Sequence, residues 1–155
     1  PSVNCISSAM NVGHPSNLAR IIALYGGIMN EKGEILRQPD MKAMNSDLAG
    51  ISISDKDTKN TILDCFSKYG RLLEPHGAVA WKGLMSYIND HSISADQLSV
   101  TLETAHPAKF PEDIRSVTGI DPELPASLAG LEKLKEEYIV IDKDYENLKR
   151  ILLEN

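Results

Sequence analysis

The chain has 155 residues, of which 42% are hydrophobic and 25% charged, the ordinary make-up of one soluble globular domain with room for a core. A net charge of -6 argues against a broad nucleic-acid footprint, because neutralising phosphates needs clustered Lys and Arg. No apolar run is long enough to span a bilayer, and residues 1–12 carry neither the basic start nor the apolar block of a signal peptide. Cytoplasmic residence is therefore expected, with Cys5 and Cys65 as free thiols, since their spacing suits no metal site. The chain opens on PSVNC without a Met, which suggests a piece of something longer.

In chain order, NVGHPSN reads as a loop entering a helix, with Pro15 suited to a first helical position. Leu18, Ile21, Ile22 and Tyr25 then recur at helical spacing until Gly26-Gly27. PDMKAMNSDLAG is a short helix ending at Gly50, and ISIS is a brief strand or an extended link. Ser54 with Asp57 resembles a capping box, and Ile62, Phe66 and Tyr69 form one apolar face that closes at Gly70. RLLEPH is extended, because Pro75 moves Glu74 out of the helical region. Residues 77–89 make a helix apolar nearly all round, the pattern of a buried helix.

LSVTLETA is the best strand in the chain, and its apolar start suits a parallel sheet covered on both faces. Pro111 opens a short helix through Val117, with Glu112 and Asp113 in the first turn, where the helix dipole favours acids. GIDPELPASLAG is a proline-rich connection, and Tyr145, Leu148, Ile151 and Leu152 form a closing amphipathic stripe with Asp142 as N-cap. Helices alternating with short strands give an α/β class, in which the helices pack on a small, incomplete sheet.

Three stretches carry chemistry. In ETAHPAKF, at the C-terminal end of a strand, Thr104 offers a hydroxyl to the crevice where α/β proteins bind ligands, while His106 and Lys109 suit an anion. The plainer alternative is a Thr104 that satisfies backbone groups, a His106 that caps the turn before Pro107 and a solvated Lys109. In LLEPHGAVAW, His76 enters a helix whose free N–H groups attract anions, or simply caps it. In AMNVGHPSN, Asn11, Ser16 and Asn17 suit a polar ligand, or a helix entry that needs none. The four histidines lack metal-ligand spacing, and no nucleophile elbow, phosphate loop or dinucleotide fingerprint occurs.

Taken together, SAMNVGHPSNLARI, LLEPHGAVAWKGL and ETAHPAKFPEDI, with LPASLAGL after them, resemble the C-terminal portion of the threonine synthase family, in its enterobacterial and fungal branch. Family members commonly carry Asp where this chain has Asn11. The resemblance implies a pyridoxal-phosphate-dependent, tryptophan-synthase β-like domain of fold type II. The implied reaction converts O-phospho-L-homoserine and water to L-threonine and phosphate, the last step of threonine biosynthesis. The family's Schiff-base lysine and Ser-Gly-Asn-Phe-Gly phosphate loop lie upstream of the matching segment, and neither motif is found in this chain. Residues 1–155 are therefore expected to be a single unit of a larger enzyme, inactive alone, with the N-terminal part of that enzyme as its partner and a tendency to self-associate.

The resemblance places Thr104 at the pyridine nitrogen, where Glu103 and Ala105 set the backbone. It leaves His106, Lys109, His76 and Asn17 as near-site residues, and Lys109 as a phosphate partner by its charge. No catalytic residue and no metal ligand is expected within the chain. Two alternatives stay open: a threonine-synthase-like phospho-lyase, or a non-catalytic module that binds a partner or an anion.

Overall fold

The computed structural model describes residues 3–8, 15–94 and 96–154. Asn11 and His14 lie outside the described residues. The chain divides into two compact units, Pro1–Glu123 and Leu124–Asn155.

In the first unit, α1 (Ser16–Leu24) starts one residue after Pro15, which stands at the N-cap with extended φ and ψ. It leads into a two-stranded antiparallel hairpin, β1 (Ile28–Met29) and β2 (Ile35–Arg37), which the sequence reading did not anticipate. Side-chain chemistry at Asn30 builds the turn: its Oδ1 accepts from Lys32 N and Glu34 N at 3.0 and 2.9 Å, and its Nδ2 donates to Glu34 Oε2 at 2.6 Å. Gly27 lets α1 and the hairpin close up, because a Cβ there would meet Ile22 Cγ2 at 2.6 Å and Pro39 N at 2.9 Å. Helix α2 (Met41–Asp47) is capped by Asp40, whose Oδ1 accepts from Lys42 N and Ala43 N. It stops short of Gly50 because Leu48 is already extended. ISIS is the extended link rather than a strand.

Helix α3 (Asp55–Tyr69) begins where Ser54 and Asp57 place it. Ser54 Oγ accepts from Asp57 N at 3.1 Å and donates to Asp57 Oδ2 at 2.6 Å. The aspartate thus closes on the hydroxyl, where the longer Glu of a capping box would reach the cap's N–H. The buried hydroxyls of Thr58 and Thr61 donate back to Ser54 O and Asp57 O, so neither leaves a polar group unmet.

Helix α4 runs Pro75–His91, two residues longer at each end than the apolar pattern marks, with Pro75 at its first position. Its burial is confined mainly to Pro75, Gly77 and Ala78; most of the remainder is half-buried, so the helix is not sunk on all sides. Helix α5 (Pro111–Thr118) carries Glu112 and Asp113 in its first turn. Ile62 of α3, Ala78 of α4 and Ile114 of α5, each with no accessible surface, form the core, and Leu72, Leu73, Phe110 and Val117 pack against them.

The strand expected at LSVTLETA does not form. Residues 98–104 pair with no strand among the described residues, and Leu98, Val100 and Leu102 are 88%, 71% and 74% exposed. A strand requires a neighbour to take its backbone hydrogen bonds, and the hairpin pairs only with itself. No parallel pair occurs among the described residues; the sheet is the single hairpin.

The second unit holds two 3-10 turns, Ala126–Leu128 and Leu131–Lys133, and helix α6 (Tyr145–Glu154). The cap of α6 is Asp144 rather than Asp142: its Oδ2 accepts from Asn147 N at 2.9 Å and its carbonyl from Leu148 N. No described helix is long and apolar enough to cross a membrane.

Candidate functional site

The start of α4 and the residues 103–110 are tied together at two points. Glu74 is the N-cap of α4, in extended conformation and without accessible surface. Its Oε1 accepts from Gly77 N at 2.9 Å and its Oε2 from His76 N at 2.9 Å, which satisfies two of the free donors of the first turn. The same Oε2 lies 2.7 Å from His76 Nδ1. Burial would raise the pKa of this carboxyl. The hydrogen bonds from His76 and Gly77 outweigh that and hold it below its ordinary value, so Glu74 is a buried anion.

At the first tie, Glu103 Oε1 accepts from the backbone N–H of Glu74 at 2.7 Å. Its side chain lies over Gly77, where a Cβ would meet Glu103 Oε1 at 2.9 Å, Cγ at 3.0 Å and Cδ at 3.1 Å. At the second, the His76 ring packs against Phe110 at 5.5 Å between centroids, tilted by 59°. Phe110 in turn joins the core. Residues 104–109 therefore arch between two anchors on one helix end.

Thr104, His106 and Lys109 are all exposed on this arch. Thr104 has no hydrogen-bond partner among the described residues. His106 is the N-cap of a 3-10 turn (Pro107–Lys109), and its Nδ1 accepts from Ala108 N at 3.1 Å. The sequence-predicted Thr104, His106, Lys109 and His76 thus belong to one local assembly. Asn17, in the first turn of α1, shares no hydrogen bond with it among the described residues. Sequence reasoning missed the side chains of Glu74 and Glu103. The acid directly before Pro75 was the legible sign of the first, as an N-cap followed by proline at the first helical position; nothing local marks the second.

An open cleft of about 470 Å³, lined by Asp47, Ile51, Val79, Gly83, Leu84 and Tyr87 among others, contains none of the sequence-predicted site residues. Among the described residues no cluster of His, Cys, Asp or Glu could hold a metal ion.

Comparison with known proteins bears on this assembly directly. The profile of the family described as threonine synthase, C-terminal, matches residues 77–152, which include most of α4 and the whole arch. The chain belongs to the threonine synthase family. A threonine synthase of Haemophilus influenzae is 32% identical over 154 residues, covering 99% of this chain and 32% of that protein. The Escherichia coli threonine synthase is 26% identical over 148 residues, 96% of this chain and 30% of its own length. The chain thus spans about a third of the length of these curated relatives. The crystal structure of PLP-bound threonine synthase from Brucella melitensis superposes with a TM-score of 0.76 at 26% identity, over 99% of this chain and 35% of that one. The fold is therefore that of a segment of a threonine synthase of fold type II.

Proposed function

We propose that this chain forms one wall of a pyridoxal-phosphate site in an enzyme that converts O-phospho-L-homoserine and water to L-threonine and phosphate. The observation that carries this reading is the arch: a doubly anchored segment with an exposed Thr104 hydroxyl that has no partner among the described residues, in a chain of this family. Such a hydroxyl suits the pyridine nitrogen of the cofactor, which supplies an electron sink for the reacting carbon when bound. A threonine hydroxyl donates a hydrogen bond to that nitrogen without requiring that the ring be protonated, as a carboxylate partner would. His106 and Lys109, exposed on the same arch, add donors that suit a phosphate-bearing substrate. His76, held by Glu74 at one anchor, is a third such group.

The other wall, including the lysine and the phosphate cradle, belongs in this reading to the N-terminal part of the same enzyme. Leu98, Val100 and Leu102 support it, because an exposed apolar segment with no paired strand among the described residues suits a sheet completed by another segment. The enzyme acts in the cytoplasm. The decisive assay is release of phosphate and threonine from O-phospho-L-homoserine with added pyridoxal phosphate, run on these 155 residues beside the longest product of the gene. An active long form and an inert segment are expected. Turnover by the segment alone would overturn the division of the site, and an inert long form would overturn the activity.

A further inference from the structure

The cap of α4 is assembled from two parts of the chain. In a capping box, the side chain of the third helical residue reaches back to the N–H of the N-cap. Here the N-cap is Glu74 and the third residue is Gly77, which has no side chain to send. Glu103, 29 positions from Glu74, fills that place: its Oε1 takes the Glu74 N–H at 2.7 Å, and its Cγ, Cδ and Oε1 occupy the space around the position of a Gly77 Cβ. The glycine is the vacancy and the glutamate is its occupant. Glu103 also adjoins Thr104 in sequence, so the bond that completes the helix cap fixes the backbone from which the Thr104 hydroxyl projects.

We propose that Glu103 is a positioning residue: by completing the α4 cap from a second segment, with Gly77 as its seat, it sets where Thr104 stands. The proposal rests on the reading of Thr104 as the cofactor's ring-nitrogen contact. The His76–Phe110 packing holds the far end of the arch to the helix but leaves its near end free to swing. Glu103 is the tie at that end, one residue from the hydroxyl. Its carboxylate acts through backbone placement and touches neither substrate nor cofactor.

The test uses the full-length enzyme that carries this segment, stripped of cofactor and titrated with pyridoxal phosphate. The readouts are the cofactor Kd, its absorption band and the melting temperature of the cofactor-free protein. Glu103→Ala removes a charge-assisted hydrogen bond and is expected to raise Kd roughly tenfold to a hundredfold and to move the absorption band. Glu103→Gln keeps an acceptor oxygen and should stay within about threefold of the parent. Gly77→Glu combined with Glu103→Ala restores a local capping box. It should recover the melting temperature but not the Kd, because the helix regains its cap while the arch stays untied.

If the double variant recovers both, Glu103 is a helix cap only and the proposal is overturned. If Thr104→Val alters Kd and absorption while Glu103→Ala alters neither, the proposal fails and the reading of Thr104 stands. If Thr104→Val alters neither, the reading of Thr104 fails and the proposal with it. Should Glu103→Ala yield no folded enzyme, Glu103→Asp carries the same test. Its arm is one methylene too short to span the gap, and a parental Kd for it would count against the tie.

Discussion

Replacing Glu74 by alanine tests the account of the α4 end most directly. The substitution removes the acceptor for His76 N and Gly77 N and leaves the Gly77 donor in a buried position. Losing an N-cap costs about 1 kcal/mol, and stranding a buried donor adds about 1–3 kcal/mol where water cannot replace the acceptor. Some overlap between the two gives an expected loss of about 2–3 kcal/mol, or a fall in melting temperature of roughly 5–10 °C for a chain of this size. Thermal unfolding followed by circular dichroism measures it. Glu74→Gln keeps one acceptor oxygen and should lose about half as much. The pH dependence fixes the sign. The folded carboxyl is held below its ordinary value of 4.5, so its contribution is complete above that pH and disappears as the pH falls through the folded pKa. The gap between the parent and Glu74→Ala should therefore narrow below pH 4.5. A loss under about 0.5 kcal/mol at neutral pH, or a gap that widens on acidification, would contradict a capping role for ionised Glu74.

Ile62→Ala empties the centre of the α3–α4–α5 core and should cost about 2–5 kcal/mol in denaturant unfolding, far more than any surface change. Arg115→Ala breaks an ion pair with Asp121 whose two side chains are 56% and 72% exposed, so stability should move by no more than about 1 kcal/mol in the same assay. A thiol reagent at neutral pH should modify exposed Cys5 quickly and spare Cys65, which is buried and whose pKa is raised by that burial and then by Asp64, with Lys68 opposing; equal rates at the two would contradict this placement. The isolated chain should self-associate through residues 98–102, and Leu98→Asp with Leu102→Asp should shift it toward monomer in size-exclusion chromatography with light scattering.

What could be read from the sequence was what a few neighbouring residues decide. Ser54 placed the start of α3 and Pro111 that of α5, because a cap hydroxyl and a fixed φ act within one turn. Asp142 misled for the same reason in reverse: two acids, Asp142 and Asp144, stand before one helix, and only the second meets the N–H of Asn147. The hairpin went unseen because its signal is one asparagine side chain folding over four residues, not an apolar alternation. The strand at 98–104 failed differently. Its apolar pattern is real, but pairing is a property of two segments, and no described segment supplies the second. At the site, the arch residues were named from the motif, whereas Glu103 over Gly77 joins positions too far apart for any local rule to connect.

That last contact couples the histories of two positions. A side chain gained at 77 collides with Glu103, and a shorter residue gained at 103 strips the cap while 77 is still glycine. Either change alone passes through a poorer protein, while the pair together, a reaching side chain at 77 and a short one at 103, restores the cap. Lineages that make this paired replacement regain the cap but must tie the arch by another contact. A substitution tolerated at 77 in one relative should then be harmful when transplanted singly into this chain.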